Sequence, residues 1–262
     1  MTTHRFTEVP ADVLAVIEKH TGPVLEAESV PTGLNSEIAA RIRTATGAVF
    51  VKGLRLEHPR ARTQEREAAI APHITPPAPA LLWHTRCAGW DLLGFEDLDG
   101  PHADYAPGSP HLAPVADAMR TLAGLPLPDL PLRTMPDRMR AYAGDDAGLF
   151  TGDRLLHTDW NPHNVLIAGR ARIVDWSWAA RGAGWIDPAL WAIWLIASGH
   201  TPEQTEQLSA EHPASAAAPA LGLDAFARAQ YRLWDEIAGD SPNEWTARMQ
   251  TAAAAWSWHR GG

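Results

Sequence analysis

The sequence predicts an α+β protein, with antiparallel strands in its amino-terminal part and helices through most of the remainder. Two observations predict it. The stretch VLEAESVPTGLNSEIAARIRTATGAVFVKGL (24–54) reads as two or three short strands divided by turns. From Pro110 onward, apolar residues return at helical spacing in PHLAPVADAMRTLAGL, in LWAIWLIA and in the tail. With 262 residues, 45% of them hydrophobic, the chain can bury one large core or two smaller ones.

In order, PADVLAVIEKH (10–20) spaces Val13, Leu14, Val16 and Ile17 as a short amphipathic helix. Turns at Gly33-Leu34-Asn35 and Ala45-Thr46-Gly47 divide the strands. The first could lay backbone N–H groups over a phosphate, helped by Asn35 and Ser36, although it lacks G-x-G-x-x-G and also suits a plain hairpin. Lys52 lies in AVFVKGL, an apolar pattern that half-buries its residues, so its ammonium needs a partner. The helical segment RTQEREAAIAPHI offers Glu65 and Glu67, and helical phase alone does not choose between them. The proline-rich APHITPPAPALLWH (71–84) reads as an extended connector, and WDLLGFEDLDG as a strand running into an acidic turn. A boundary near 97 divides the chain into 1–96 and 97–262.

Beyond it come a helix at 110–125 closed by Gly124 and Pro126, and a proline-broken stretch with one short helix near 135–143. A strand-like LLH and a VLI–RIV hairpin around Ala168-Gly169 follow. Asp187-Pro188 reads as the N-cap and first residue of a helix that turns Leu190, Trp191, Trp194 and Leu195 inward and ends at Gly199. Further helices are expected at 202–209, at 223–238 and in NEWTARMQTAAAAWSWHR, with the alanine-rich 210–220 as a loop.

A net charge of −9 and a pI near 5.7 argue against a nucleic-acid partner. The single cysteine, Cys87, excludes an internal disulfide and reads as a small buried residue in a reducing compartment. The amino terminus lacks the basic and apolar segments of a signal peptide, and no run approaches a membrane span, so a cytoplasmic protein is expected.

The chemistry concentrates in LLHTDWNPHNVLIAGRARIVDWSW (155–178). His157, Asp159 and Asn164 stand in an H-x-D-x-x-x-x-N arrangement, and Asp175 closes an apolar run. Two carboxylates and an amide suit Mg²⁺, a hard cation that shares oxygen ligands with phosphates. This stretch resembles the catalytic and metal-binding loops of the aminoglycoside phosphotransferase family, distant relatives of the protein kinases. The resemblance implies a two-lobed protein-kinase-like fold, with a small antiparallel-sheet amino-terminal lobe and a mainly helical carboxy-terminal lobe. It implies ATP and Mg²⁺ as cofactors, and transfer of the γ-phosphate to a hydroxyl of a small molecule. By the same resemblance Lys52 grips phosphates and pairs with Glu67, the backbone at Glu96 and Leu98 meets adenine, and Asn164 and Asp175 hold the metal. Asp159 then accepts the hydroxyl proton, while His157 braces its loop and Asp187 hydrogen-bonds it.

The chain departs from the family pattern at Thr158, where glycine is usual, at Ser177 and at Trp191. Among its 12 tryptophans, most are expected in the core. Trp160 and Trp178 are the candidates to line an acceptor pocket, where an aromatic face suits a sugar ring, a nucleobase or a cation. Asp235 and Glu236 could receive amino groups of a cationic acceptor, or form a solvated helix face. An aminoglycoside or other antibiotic is the first acceptor class, with a metabolite such as choline, homoserine or an amino sugar as the alternative. A catalytically silent nucleotide-binding protein is the third reading, and the oligomeric state is left open.

Overall fold

The computed structural model describes residues 6–30 and 36–261. The chain divides into two compact units, Met1–Pro101 with Arg172–Ser177, and His102–Ala171 with Trp178–Gly262.

In the first unit, α1 (Ala11–Thr21) is followed by strands β1 (Glu26–Ser29), β2 (Ile38–Thr44) and β3 (Gly47–Arg55). Then come α2 (Ala61–Ile70) and strands β4 (Leu81–Cys87) and β5 (Trp90–Glu96). The strands form one antiparallel sheet in the order β1-β2-β3-β5-β4. Side chains alternate between its faces with period two. Val51 and Leu92 join Val13, Ile17, Ile38 and Ile42 in one core cluster, while Leu93 and Phe95 pack with Ala68 and Ala71 in another. Lys52 pairs in register with Leu93, so it emerges on the α2 face of the sheet.

The 71–84 stretch corrects the expectation of a connector. Its last four residues open Leu81–Cys87, an edge strand whose side chains alternate between half-buried and exposed. A strand with only one covered side needs no continuous apolar run, and the prolines before it mask its start. Trp83 lies across Gly94 of the neighbouring strand, where a Cβ would fall 2.1 Å from the indole. Cys87, expected to be buried, is half-buried at the end of this strand.

Residues 172–177 belong with the first unit for a stated set of bonds. The Ile173 N–H donates to the Pro77 carbonyl at 2.7 Å. The Arg172 guanidinium, nearly enclosed, donates to the Ala78 carbonyl at 2.8 Å and to Glu96 at 2.7 Å.

The second unit carries α3 (Leu112–Ala123), β6 (Arg133–Thr134), α4 (Met135–Ala143) and β7 (Arg154–Leu156). Strands β8 (Val165–Ala168) and β9 (Arg170–Ile173) form a ribbon turning at Gly169, whose φ of 69° suits glycine. The chain passes from the second unit to the first within β9. After β10 (Ala180–Gly182) come α5 (Ile186–Ala197), α6 (Pro202–Ala210), α7 (Pro213–Ala216), α8 (Ala220–Ala238) and α9 (Glu244–His259). Of the short sheet β6-β10-β7 only β7 was expected, from LLH, since strands of two or three residues leave no periodicity to read. The alanine-rich 210–220 stretch, expected as loop, holds the single turn α7. Aromatic pairs knit this unit, among them Phe150 with Trp185 and Phe226. Among the described residues no helix is long and apolar enough to cross a membrane.

Arg172 ties its segment to the sheet, so Arg172→Ala removes the side-chain donor to the Ala78 carbonyl and the charged partner of Glu96, which keeps the Ala80 N–H. The expected loss is about 2 kcal/mol of folding stability, read as a lower urea midpoint at unchanged slope. An unchanged midpoint would show that the segment is held by its backbone alone.

Candidate active site

The polar centre of the first unit is Lys52. Its side chain is 12% exposed, and its Nζ lies 2.7 Å from Glu67 Oε2 and 3.4 Å from Asp175 Oδ1. Glu67 is therefore the partner on α2, whereas Glu65, two residues earlier, is exposed and bonds Arg86. Burial works to depress the Lys52 pKa, but Asp175 and Glu67 overcome it and hold the ammonium above the ordinary lysine value. Burial also pushes the Glu67 carboxyl upward, against the pull of Lys52. Asp175 has a positive φ of 59°, a conformation aspartate tolerates better than most residues, and its Oδ1 accepts the Ser177 hydroxyl at 2.7 Å. Ser177, a departure from the family pattern, thus orients that carboxylate.

Gly33 and Asn35 lie outside the described residues. Ser36 is buried, and its hydroxyl has no hydrogen-bond partner among the described residues. At the other end of the sheet, the Glu96 N–H donates to the Ala80 carbonyl at 2.9 Å, and the Leu98 carbonyl accepts from Arg41, which also pairs with Asp97 at 3.0 Å.

In the second unit the loop after β7 carries His157, Asp159 and Asn164. Asp187 clamps its start, one carboxylate oxygen accepting from the His157 N–H and the other from the Thr158 N–H, each at 2.9 Å. Burial raises the Asp187 pKa above the usual carboxylate range, and those two bonds work against the rise. This corrects the helix-start expectation. The N-cap of α5 is Trp185, not Asp187, and Pro188 sits third in the helix rather than first. The carboxylate is directed to the loop instead of to its own helix. His157 is fully enclosed, accepts the Asp159 N–H on Nδ1 at 3.3 Å, and packs edge-on against Trp160.

Thr158 adopts φ of 69°, costly for a β-branched residue by roughly 1–3 kcal/mol. Its hydroxyl offsets this by donating to the Trp178 carbonyl at 2.8 Å and accepting from Arg138. The position demands a left-handed backbone, which explains why glycine suits it elsewhere. Arg138 carries no signal in the sequence, because 20 residues and several elements separate it from the loop.

Asn164 donates its amide N–H to the Asp159 carbonyl at 3.2 Å, which fixes the amide and directs its oxygen away from that bond. Among the described residues no group of three or more His, Cys, Asp or Glu could hold a metal ion. Asn164 in the second unit and Asp175 in the first each offer an oxygen of the kind Mg²⁺ takes, an ion that keeps waters and draws other ligands from phosphates.

The acceptor candidates divide. Trp160 has no exposed surface and is corrected to a core residue. Trp178 is 40% exposed. Asp235 accepts from Gln250 at 2.7 Å and Glu236 from the Tyr142 hydroxyl at 3.1 Å, both on the exposed side of α8.

No protein-family model matches the sequence, and no curated protein matches it. Solved structures do. A thermostable mutant of aminoglycoside phosphotransferase APH(4)-Ia, in a ternary complex with ADP and hygromycin B, superposes with a TM-score of 0.64 at 17% identity, covering 93% of this chain and 98% of that one. Another complex of that protein, with AMP-PNP and hygromycin B, gives 0.63 at 17% identity over 93% and 98%. Choline kinase LicA from Streptococcus pneumoniae gives 0.61 at 14% identity, covering 94% and 98%. The chain therefore has the α+β fold of the aminoglycoside-phosphotransferase-like kinases, with an antiparallel-sheet unit and a mainly helical unit.

Proposed function

We propose that the protein is an ATP- and Mg²⁺-dependent O-phosphotransferase acting on a hydroxyl of a small molecule. The observation that carries this reading is Lys52, a buried ammonium held between Glu67 and Asp175 on the face of the sheet. An ammonium kept charged and fixed in place suits the α- and β-phosphates of a nucleotide. The solved complexes with ADP and AMP-PNP support the same reading by fold. The adenine is placed against the backbone around Glu96 and Leu98, and the reaction in the cytoplasm, where ATP is supplied.

Asn164 and Asp175 would hold Mg²⁺, which would offset the charge of the nucleotide phosphates. Asp159 orients the acceptor hydroxyl and takes its proton as the oxygen bonds to the γ-phosphorus and the bond to the β-phosphate breaks. A carboxylate with a pKa of about 3.9 is a weak base. It suffices because the transition state is loose and orientation is the larger task. His157 and Asp187 act by holding the loop backbone.

An antibiotic acceptor such as an aminoglycoside is a second reading, favoured by the hygromycin B complexes. Against it, Asp235 and Glu236 already have partners on a solvated helix face. Purified protein assayed with ATP·Mg²⁺ against aminoglycosides and against hydroxylated metabolites separates the two. Turnover of a metabolite beside an inert drug panel ends the antibiotic reading.

Asp159→Ala is expected to keep nucleotide affinity while phosphoryl transfer falls roughly a thousandfold or more. Turnover equal to wild type in that variant would sink the assignment, and loss of both would make Asp159 structural. Lys52→Met leaves the buried Glu67 and the half-buried Asp175 without their shared cation and should cost about 3 kcal/mol at neutral pH. Protonation relieves Glu67, whose carboxyl burial already pushes upward, so the deficit should shrink as pH falls through that raised range. Denaturation curves at several pH values check it, and a deficit that grows on acidification would contradict the ion-pair account.

A further inference from the structure

Arg138, on α4, is the charged group beside the loop that the reaction just described does not use. It is half-buried. Its Nη1 donates to the Thr158 hydroxyl and, at 3.2 Å, to the Trp178 carbonyl. The guanidinium lies over the Trp178 ring, 5.3 Å from its centroid. Among the described residues it is the only buried or half-buried arginine or lysine that has no carboxylate within 4.0 Å. Its peers are all matched: Arg41 with Asp97, Arg172 with Glu96, Arg228 with Asp146, and Arg260 with Glu206 and Asp224. In a chain of net charge −9, a sheltered cation without a carboxylate is out of pattern.

We propose that Arg138 and Trp178 form an acceptor subsite for an anionic group, so that the molecule bearing the reacting hydroxyl also bears a carboxylate a few bonds away. The proposal rests on the phosphotransferase reading and narrows its substrate class to hydroxylated carboxylic acids. A guanidinium has five N–H donors in a planar fork. The contacts above engage Nη1, and the rest of the fork matches a carboxylate. The exposed Trp178 ring offers a flat apolar wall for the carbon skeleton beside it. Burial, with Arg133 nearby, draws the Arg138 pKa below the usual arginine range, while Asp159 and Asp187 pull the other way. An anionic acceptor placed near Asp159 and a triphosphate needs such a cation, whereas a polycationic acceptor would meet like charge there. One turn along the same helix, Tyr142 donates to Glu236, so that carboxylate already has a donor of its own.

The test is a set of matched acceptors, hydroxy acids and hydroxyamino acids beside their primary amides, assayed for ADP release with wild type, Arg138→Met and Arg138→Lys. ATP·Mg²⁺ affinity is measured in parallel by calorimetry. Wild type should prefer the acids by about tenfold or more in kcat/KM. Arg138→Met should erase that preference mainly through KM, and Arg138→Lys should keep part of it. Acids and amides used equally by wild type, or a preference that survives Arg138→Met, overturns the subsite. Nucleotide binding without turnover of any acid overturns the subsite and leaves the phosphotransferase reading standing. No nucleotide binding overturns both. The wild-type comparison needs no variant, so a misfolded substitution does not shield the proposal.

Discussion

Lys52 is the constraint around which the first unit is arranged. A lysine on a strand flanked by Val51 and Gly53 is sheltered by its neighbours, and a sheltered ammonium is tolerated only with carboxylates at hand. Glu67 supplies one from α2 and Asp175 the other from the 172–177 segment. The position of α2 on the sheet and the return of that segment, fastened by Arg172 and Ile173, are two halves of one electrostatic requirement. Such an arrangement adds little net stability over apolar packing. Its use is to keep one cation charged and in one place.

The second unit solves a similar problem with the opposite sign. Asp187 is a buried carboxylate, and its partners are the backbone N–H groups of His157 and Thr158. Those bonds hold the loop at the residue where its backbone is least comfortable, Thr158. Arg138 and the Trp178 carbonyl complete the clamp through the threonine hydroxyl. Asp159 follows directly, so its placement is set by this clamp.

Much of this was legible in the sequence. Short apolar runs divided by turns marked β2, β3 and β5, and helical spacing marked α1, α3 and α5. The loop motif stood out because its spacing is fixed by chemistry rather than by packing. What stayed hidden depends on long-range contacts. Glu65 and Glu67 are separated only by which side of α2 meets the sheet. Asp187 reads as a cap until the loop that recruits it is seen. Trp160 reads as pocket-forming because a tryptophan near a reactive loop carries no mark of its depth. Arg138 lies on a different helix, and nothing local to it signals a ring and a hydroxyl contributed from far along the chain.

The claim that the Glu67–Lys52 pair exists to present Lys52 to nucleotide phosphates is tested most directly by a double-mutant cycle. ATP·Mg²⁺ affinity would be measured by calorimetry for Lys52→Met, Glu67→Gln and the pair together. The account predicts that Glu67→Gln weakens binding on its own and costs nothing further once Lys52 is gone. Independent, additive losses, or an affinity indifferent to Lys52, would contradict it.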